Sequence, residues 1–204
     1  MEVVLLNSGG LDSALLAHKL HADGHTVHSL HLLLGSLHQE SARVAAQETA
    51  ERYCASHFVM DVGYGQSSNY LWNKATGDFI MWDVATDAQK ADQRFIVGQY
   101  PAQTPLVLSL AVGYATTLMV ATVYTGQGGE MTAGTIAAFD ALCREVDWPV
   151  WKPVVEVPLA TMGYAAALAY SGADILDFGY TVSCYKDVPC GTCGKCNQRE
   201  DLGL

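Results

Sequence analysis

The chain has 204 residues, of which 50% are apolar and 16% are charged, and its formal net charge is −10. This length and composition predict one compact domain, spanning residues 1–204, with a substantial hydrophobic core, and they exclude a disordered chain. The acidic balance argues against a basic surface for DNA or RNA, so we expect no direct nucleic-acid partner and a small molecule as any nucleotide ligand.

Membrane and export signals are not evident in the sequence. No apolar stretch reaches the roughly 18 residues of a membrane span, and the start MEVVLLNSGG lacks the basic region of a signal peptide. We therefore expect a cytoplasmic protein, or one in the host cytoplasm if its source is viral.

The first sixty residues predict a β-α-β-α-β unit. Apolar runs favour strands over 2–7, 26–34 and 58–61, and helical periodicity favours helices over 12–23 and 39–56. This alternation is typical of a parallel sheet with right-handed crossovers. The predicted fold is α/β, an open, doubly wound and mostly parallel sheet.

The second half of the chain starts with a loosely patterned segment, 62–103, which carries no persistent period. A connection of this length is usually functional or partly structured. Regular patterns then predict helices over 105–118, 135–146 and 161–171 and strands over 120–125 and 154–157. No linker divides the chain.

The apolar run at the N-terminus breaks into the loop Ser8-Gly9-Gly10-Leu11-Asp12-Ser13, between the first strand and the first helix. Ligands of open parallel sheets bind at such ends. Adjacent glycines allow a tight turn, and the helix that follows offers unpaired N–H groups and the positive end of its dipole. With the hydroxyls of Ser8 and Ser13, the loop predicts a phosphate site. The alternative is an ordinary turn in which Ser8 or Asp12 caps the helix.

Four of the six cysteines cluster in the C-terminal segment 180–204 with the spacing C-x5-C-x2-C-x2-C. Four thiolates complete a tetrahedral Zn²⁺ shell without an open position, so the pattern predicts a structural zinc site. Two disulfides, four unrelated thiols or an iron–sulfur cluster are the alternatives. Cys54 and Cys143 are expected to be core residues. The predicted zinc ligands are Cys184, Cys190, Cys193 and Cys196.

The strand–SGGxDS–helix pattern resembles the pyrophosphate loop of the N-type ATP pyrophosphatases, a superfamily with an adenine nucleotide alpha hydrolase-like, Rossmann-like fold. The resemblance implies that ATP is cleaved between its α- and β-phosphates, with Mg²⁺ neutralising the phosphates. The residues it assigns to ATP are Ser8, Gly9, Gly10, Leu11, Asp12 and Ser13, with His31 and Leu32 beside the adenine. It assigns catalysis to Ser8, Asp12, Ser13 and His38.

The loop and the four cysteines together are similar to the 7-cyano-7-deazaguanine synthase family. Segments 158–162 (PLATM) and 182–185 (VSCY) are similar to that family's motifs as well. The resemblance implies that 7-carboxy-7-deazaguanine and free ammonia are converted to the nitrile through adenylated intermediates, in a homodimer with ATP, Mg²⁺ and Zn²⁺.

The chain departs from this family where the substrate is expected. Gln103 lies in a segment that has lost the family's arginine, a second arginine is lost near His38, and the helix after Met162 lacks the usual lysine and glutamate. The loop from Gly126 is shortened, and in it Glu130 is a candidate to read a guanine-like base. The predicted substrate residues are Gln103, Gly126 and Glu130.

These departures leave three alternatives. A diverged relative would stop at the amide or use another deazapurine for DNA modification. A tRNA sulfur transferase would share the ATP loop, but the acidic balance argues against it. A non-catalytic nucleotide-binding protein would keep ATP binding alone.

Overall fold

Strands and helices alternate along the chain in the computed structural model, which describes residues 1–35, 39–62, 69–73, 75–76, 78–81, 85–86, 88–89, 95–99, 103–126, 132–145, 152–184, 189, 191 and 193–204. The strands in these ranges are β1 (Glu2–Leu6), β2 (Thr26–Leu33), β3 (Ser56–Asp61), β4 (Asn69–Asn73), β5 (Phe79–Met81), β6 (Phe95–Gln99), β7 (Thr122–Thr125) and β8 (Val154–Glu156). The α-helices are α1 (Leu11–Ala22), α2 (Gln39–Tyr53), α3 (Gln103–Thr117), α4 (Ala133–Glu145), α5 (Tyr164–Ser171) and α6 (Gly194–Asp201), with a short 3₁₀ helix at Ile175–Phe178.

Five parallel strands form the main sheet, in the order β3-β2-β1-β7-β8. The first strand lies at its centre, where Leu5 pairs with Ser29 of β2 and with Tyr124 of β7. The carboxyl ends of β1 and β7 therefore meet at one edge of the sheet. The predicted α/β class with a mostly parallel sheet is confirmed.

Helices cover both faces of this sheet. Alternate residues of β1 point to opposite sides: Val3 and Leu5 pack with α1, α5 and Phe178, whereas Val4 and Leu6 pack with α3 and α4. A strand that is buried on both faces needs apolar residues at every position, which explains the continuous apolar run at the start of the sequence.

A second sheet of three antiparallel strands lies within the segment for which the sequence predicts no element. Its order is β5-β4-β6, and Trp72 of β4 is in register with Phe79 on one side and Ile96 on the other. Such short strands are stabilised by cross-strand pairs, which local periodicity does not record. This sheet is the main difference from the predicted elements.

The five predicted helices begin and end within three residues of their predicted positions, whereas α6 (Gly194–Asp201) lies where the sequence pattern predicts no helix. The last predicted helix starts at Tyr164 instead of 161, because Gly163 is extended (φ −72°, ψ 165°) and acts as its N-cap. In the described part of the chain, no helix has the combination of length and apolar content that crossing a bilayer requires.

Candidate functional site

The loop between β1 and α1 turns at Gly9, which has a left-handed conformation with φ of 77°. A Cβ atom at this position would lie 2.2 Å from the carbonyl oxygen of Ala42 in α2. The next residue, Gly10, is extended (φ −84°, ψ 165°) and directly precedes α1. Glycine is therefore required at position 9 by the turn and by the close approach of α2.

Hydroxyl and amide groups gather at this loop. The Oγ atoms of Ser8 and Ser13 lie 3.1 Å apart, and Ser13 Oγ donates to the carbonyl oxygen of Gly10 (2.9 Å). Helix α1 makes its first intrahelical hydrogen bond from Ala14 N–H to the same carbonyl (3.2 Å). The N–H groups of residues 11–13 precede that bond and lie at the positive end of the helix dipole. The loop thus concentrates the donors that an anion requires.

Asn7 is 1% exposed and its side chain is hydrogen-bonded to the loop. Its Nδ2 donates to Ser29 Oγ in β2 (3.0 Å) and to the carbonyl oxygen of Ala46 in α2 (2.9 Å), while its Oδ1 accepts from Gly9 N–H (3.1 Å). Ser29 Oγ is also hydrogen-bonded to Nδ1 of His57 in β3 (2.9 Å). One buried amide therefore joins the loop directly to β2 and α2, and through Ser29 to β3.

Asp12 is a buried acid in the first turn of α1, with 9% of its surface exposed. Burial raises its pKa from the ordinary value of 3.8 to about 6, although the Lys195 charge and a hydrogen bond with Tyr164 act in the opposite direction. Within the described residues, its Oδ1 has no hydrogen-bond partner. A carboxylate of this kind is suited to a cation or to a proton that a ligand supplies.

The C-terminal segment reaches Asp12 through two side chains. Lys195 in α6 donates from Nζ to the Tyr164 hydroxyl (2.7 Å), and its ammonium group lies 5.1 Å from the centroid of the same ring. Tyr164, the first residue of α5, is in turn hydrogen-bonded to Asp12. The first turn of α6 and the first turn of α1 are therefore linked.

A second connection runs from α6 to the loop backbone. Arg199 donates to Thr181 Oγ1 (2.7 Å) and to the carbonyl oxygen of Gly179 (3.2 Å). Close to these residues, Val182 N–H donates to the carbonyl oxygen of Gly9 (2.9 Å). Helix α6 thus holds a segment that is itself bonded to the loop.

Gly126 lies directly beside the loop, because β7 ends next to β1. A Cβ at this position would lie 3.1 Å from Asp12 Cβ and 3.1 Å from the backbone nitrogen of Ser13. The structure therefore brings this predicted substrate residue against the first turn of α1.

Three cysteines meet in the C-terminal segment. The Sγ atoms of Cys184, Cys193 and Cys196 all lie within 4.8 Å of one another, and Cys184 and Cys196 are buried. Three thiols this close fit a zinc ion, whose Zn–S bonds are about 2.3 Å long. The fourth predicted ligand, Cys190, lies outside the described residues.

The other two cysteines are in the core, as expected. Cys143 of α4 is buried in the cluster beneath the main sheet, and Cys54 packs against the cluster on the opposite face. Burial raises the pKa of the Cys54 thiol to about 12, so this group is an inert thiol.

Two of the remaining predicted residues, His31 and Leu32, lie in β2. His31 is 3% exposed and donates from Nδ1 to the carbonyl oxygen of Asn7 (2.7 Å), while Leu32 is half-buried against the core. Gln103 is the first residue of α3. The predicted residues outside the described ranges are His38 and Glu130.

Three residues with contacts at or near the loop are not predicted as site residues from the sequence. Asn7 was visible only as a polar residue at the end of an apolar strand, and Lys195 only as a cation between two cysteines. Tyr164 lies in the helix after Met162, where the loss of the family's lysine was the available signal. None of these signals indicates a contact with the loop, because the contacts join distant parts of the sequence.

The chain is similar to known proteins over nearly its whole length. The family model described as "Queuosine biosynthesis protein QueC" matches residues 2–202. A 7-cyano-7-deazaguanine synthase from Marinobacter nauticus is 28% identical, with 97% of this chain and 90% of the relative covered. Its counterpart from Xylella fastidiosa is 27% identical, with 96% and 86% covered. A crystal structure titled as a predicted subunit of tRNA methyltransferase from Methanocaldococcus jannaschii covers 84% of this chain and 74% of its own, at a TM-score of 0.42 and 16% identity.

Proposed function

The chain belongs to the QueC family of queuosine biosynthesis proteins, and from this we propose that it converts 7-carboxy-7-deazaguanine and ammonia to 7-cyano-7-deazaguanine at the expense of ATP. The observation that carries the proposal is the loop 8–13, in which the hydroxyls of Ser8 and Ser13 lie 3.1 Å apart at the N-terminus of α1, beside the buried Asp12. The names of the relatives from Marinobacter nauticus and Xylella fastidiosa support the substrate class.

The reaction explains why such a loop is needed. Hydroxide is a poor leaving group, so a carboxylate oxygen first attacks the α-phosphate of ATP and pyrophosphate departs. Ammonia then displaces AMP to form the amide. A second ATP activates the amide oxygen, which leaves as AMP when the C≡N bond forms. In sum, the acid, ammonia and two ATP give the nitrile, two AMP and two pyrophosphate.

In this proposal the protein positions the reactants and stabilises charge. The hydroxyls of Ser8 and Ser13 and the N–H groups of residues 11–13 donate to the departing pyrophosphate. Gly126, which lacks a Cβ, allows the end of β7 to approach the first turn of α1 closely. We assign contacts with the deazapurine to Gln103 and Glu130, and contacts with the nucleotide to His31, Leu32 and His38.

Two metals fit residues of this chain. Cys184, Cys193 and Cys196, with Cys190 as the fourth ligand, would hold Zn²⁺ in a structural role. The Oδ1 atom of Asp12 is the donor that would hold Mg²⁺, which neutralises phosphate charge when it is bound.

The purified protein with ATP, Mg²⁺, ammonium and 7-carboxy-7-deazaguanine is expected to release AMP and to form the nitrile, detected by mass spectrometry. Asp12→Asn should lower the rate by at least roughly 100-fold, whereas Asp177→Asn, at an exposed carboxylate of the 3₁₀ helix, should leave it unchanged. If the wild-type protein forms neither nitrile nor amide, the proposal is wrong.

A second candidate is a relative that stops at the amide or uses another deazapurine carboxylate. It is favoured by the lost arginine at Gln103 and by the shortened loop after Gly126. The product mass decides between the two reactions, because the nitrile is lighter than the amide by one water.

A further inference from the structure

The first turn of α6 carries a lysine that the proposed reaction has not used. Lys195 lies between Cys193 and Cys196, and the cysteine cluster therefore sets its position. Its Nζ lies 2.7 Å from the Tyr164 hydroxyl, which is hydrogen-bonded to Asp12, and its charge acts on Asp12 in the loop. A cation from the last helix is thus directed toward the first loop.

Among the described residues, most lysine and arginine side chains have partners outside this loop. The chain has 11 lysines and arginines against 21 aspartates and glutamates. Within the described ranges, four of these cations form ion pairs with carboxylates outside the loop, and Arg199 is bonded to Thr181 and Gly179. The ion pairs are Lys19–Asp23, Arg43–Glu40, Arg52–Glu48 and Lys152–Asp140.

A pyrophosphate group carries several negative charges. Backbone N–H groups carry only partial positive charges, so they do not neutralise it by themselves. Many phosphate sites in proteins therefore add a lysine or arginine to such N–H donors. Here the N–H groups come from residues 11–13, and the buried carboxylate of Asp12 adds negative charge that must be balanced. Lys195, which is connected to Asp12 through Tyr164, is a cation that can balance this charge.

We propose that Lys195 is a binding residue for the pyrophosphate end of the nucleotide, placed there by the cysteine cluster. The inference rests on the proposed ATP reaction and adds to it one residue of this chain. It also gives the cysteine cluster a part in nucleotide binding, because a displaced α6 would remove the ammonium group from the loop.

Calorimetric titration of the zinc-loaded, full-length protein with inorganic pyrophosphate tests this role. Lys195→Met is expected to raise the Kd for pyrophosphate by at least roughly tenfold and to flatten its dependence on NaCl concentration, whereas Lys195→Arg should remain within about threefold of the wild type. Lys19→Met removes one positive charge in α1, away from the loop, and should leave the Kd unchanged. Zinc content is measured for each variant.

A footprint on the wild-type protein gives the second measurement, which does not depend on how the variants fold. Saturating pyrophosphate should slow acetylation of Lys195 at least roughly fivefold, read by mass spectrometry, and should leave acetylation of Lys19 unchanged. An unchanged rate at Lys195, or an unchanged Kd in zinc-loaded Lys195→Met, overturns the inference and leaves the lysine as a partner of Asp12 only. Failure of the wild-type protein to bind pyrophosphate or ATP overturns the proposed function as well.

Discussion

Gly9 and Asp12 show how single residues set the properties of the loop. Gly9 lies in the turn between β1 and α1, and Asp12 lies in the first turn of α1. Gly9 combines a left-handed backbone with a close approach to Ala42, whereas Gly24 has a similar φ of 79° and open space around its Cβ position. Asp12 combines a negative charge with burial.

Gly9→Ala is expected to be far more harmful than Gly24→Ala. Both substitutions carry the left-handed penalty of about 1–2 kcal/mol, but only the first forces a methyl group to 2.2 Å from the Ala42 carbonyl oxygen. We expect Gly9→Ala to lower the free energy of unfolding by at least roughly 2 kcal/mol more than Gly24→Ala. Urea unfolding of the two variants measures the difference, and equal losses would show that α2 simply moves away.

Asp12→Asn is expected to stabilise the protein in a pH-dependent way. Because the folded-state pKa is raised from 3.8 to about 6, the contribution of Asp12 to stability is fully present below pH 3.8 and is lost as the pH rises through 6. At pH 8 the asparagine variant should therefore be more stable than wild type by about 2–3 kcal/mol, with little difference below pH 4.

Denaturant unfolding of wild type and Asp12→Asn at pH 3.5 and pH 8 gives this difference, with Asp177→Asn as the control at an exposed acid. A gain of the same size at both pH values would contradict the assignment to burial of the charge.

At the scale of elements, the hydrogen bonds of the Asn7 side chain connect the end of β1 to β2 and α2 next to the loop. The strand–loop–helix pattern was readable from the sequence, because apolar runs, glycines and helical periodicity are local signals. The pairing of Asn7 with Ser29 and Ala46 was not, because it depends on which buried elements become neighbours. The same reason hid the antiparallel sheet of β4, β5 and β6.

Asn7→Ala should destabilise the protein more than Ser29→Ala. The first change removes the three hydrogen bonds of the Asn7 side chain and leaves the Gly9 N–H without its acceptor, at about 3 kcal/mol in total, whereas the second removes the hydroxyl that bonds Asn7 and His57, at about 2 kcal/mol. A double-mutant cycle from urea unfolding should show coupling between the two positions. Additive losses would mean that the two side chains act independently.

At the scale of the whole molecule, the cysteine cluster connects the last helix to the first loop. The cysteine spacing predicted a metal site, and three of the four sulfurs are close together. The spacing did not indicate that Lys195 and Arg199 of the same helix lie against Tyr164 and Thr181. Metal binding is therefore expected to order a helix that contributes to the loop's surroundings.

Cys196→Ala is expected to lower the zinc content from about one ion per chain to near zero and to increase amide exchange in α6. The Kd for pyrophosphate should rise in the same variant, because Lys195 is no longer held. Cys143→Ala is the matched control, since Cys143 is buried in the core away from the cluster. Elemental analysis and hydrogen exchange measure both effects, and full zinc occupancy in Cys196→Ala would exclude its assignment as a ligand.

The central position of β1 in the main sheet affects how the chain folds while it is being synthesised. Its pairing with β2 is available soon after synthesis starts, but its other neighbour, β7, begins only at Thr122, and the hydrogen bond to Gly9 comes from Val182. The apolar edge of β1 therefore emerges from the ribosome long before the strand that covers it, a situation in which nascent chains depend on chaperones. The loop between β1 and α1 therefore acquires its hydrogen bond from Val182 only after most of the chain has been made.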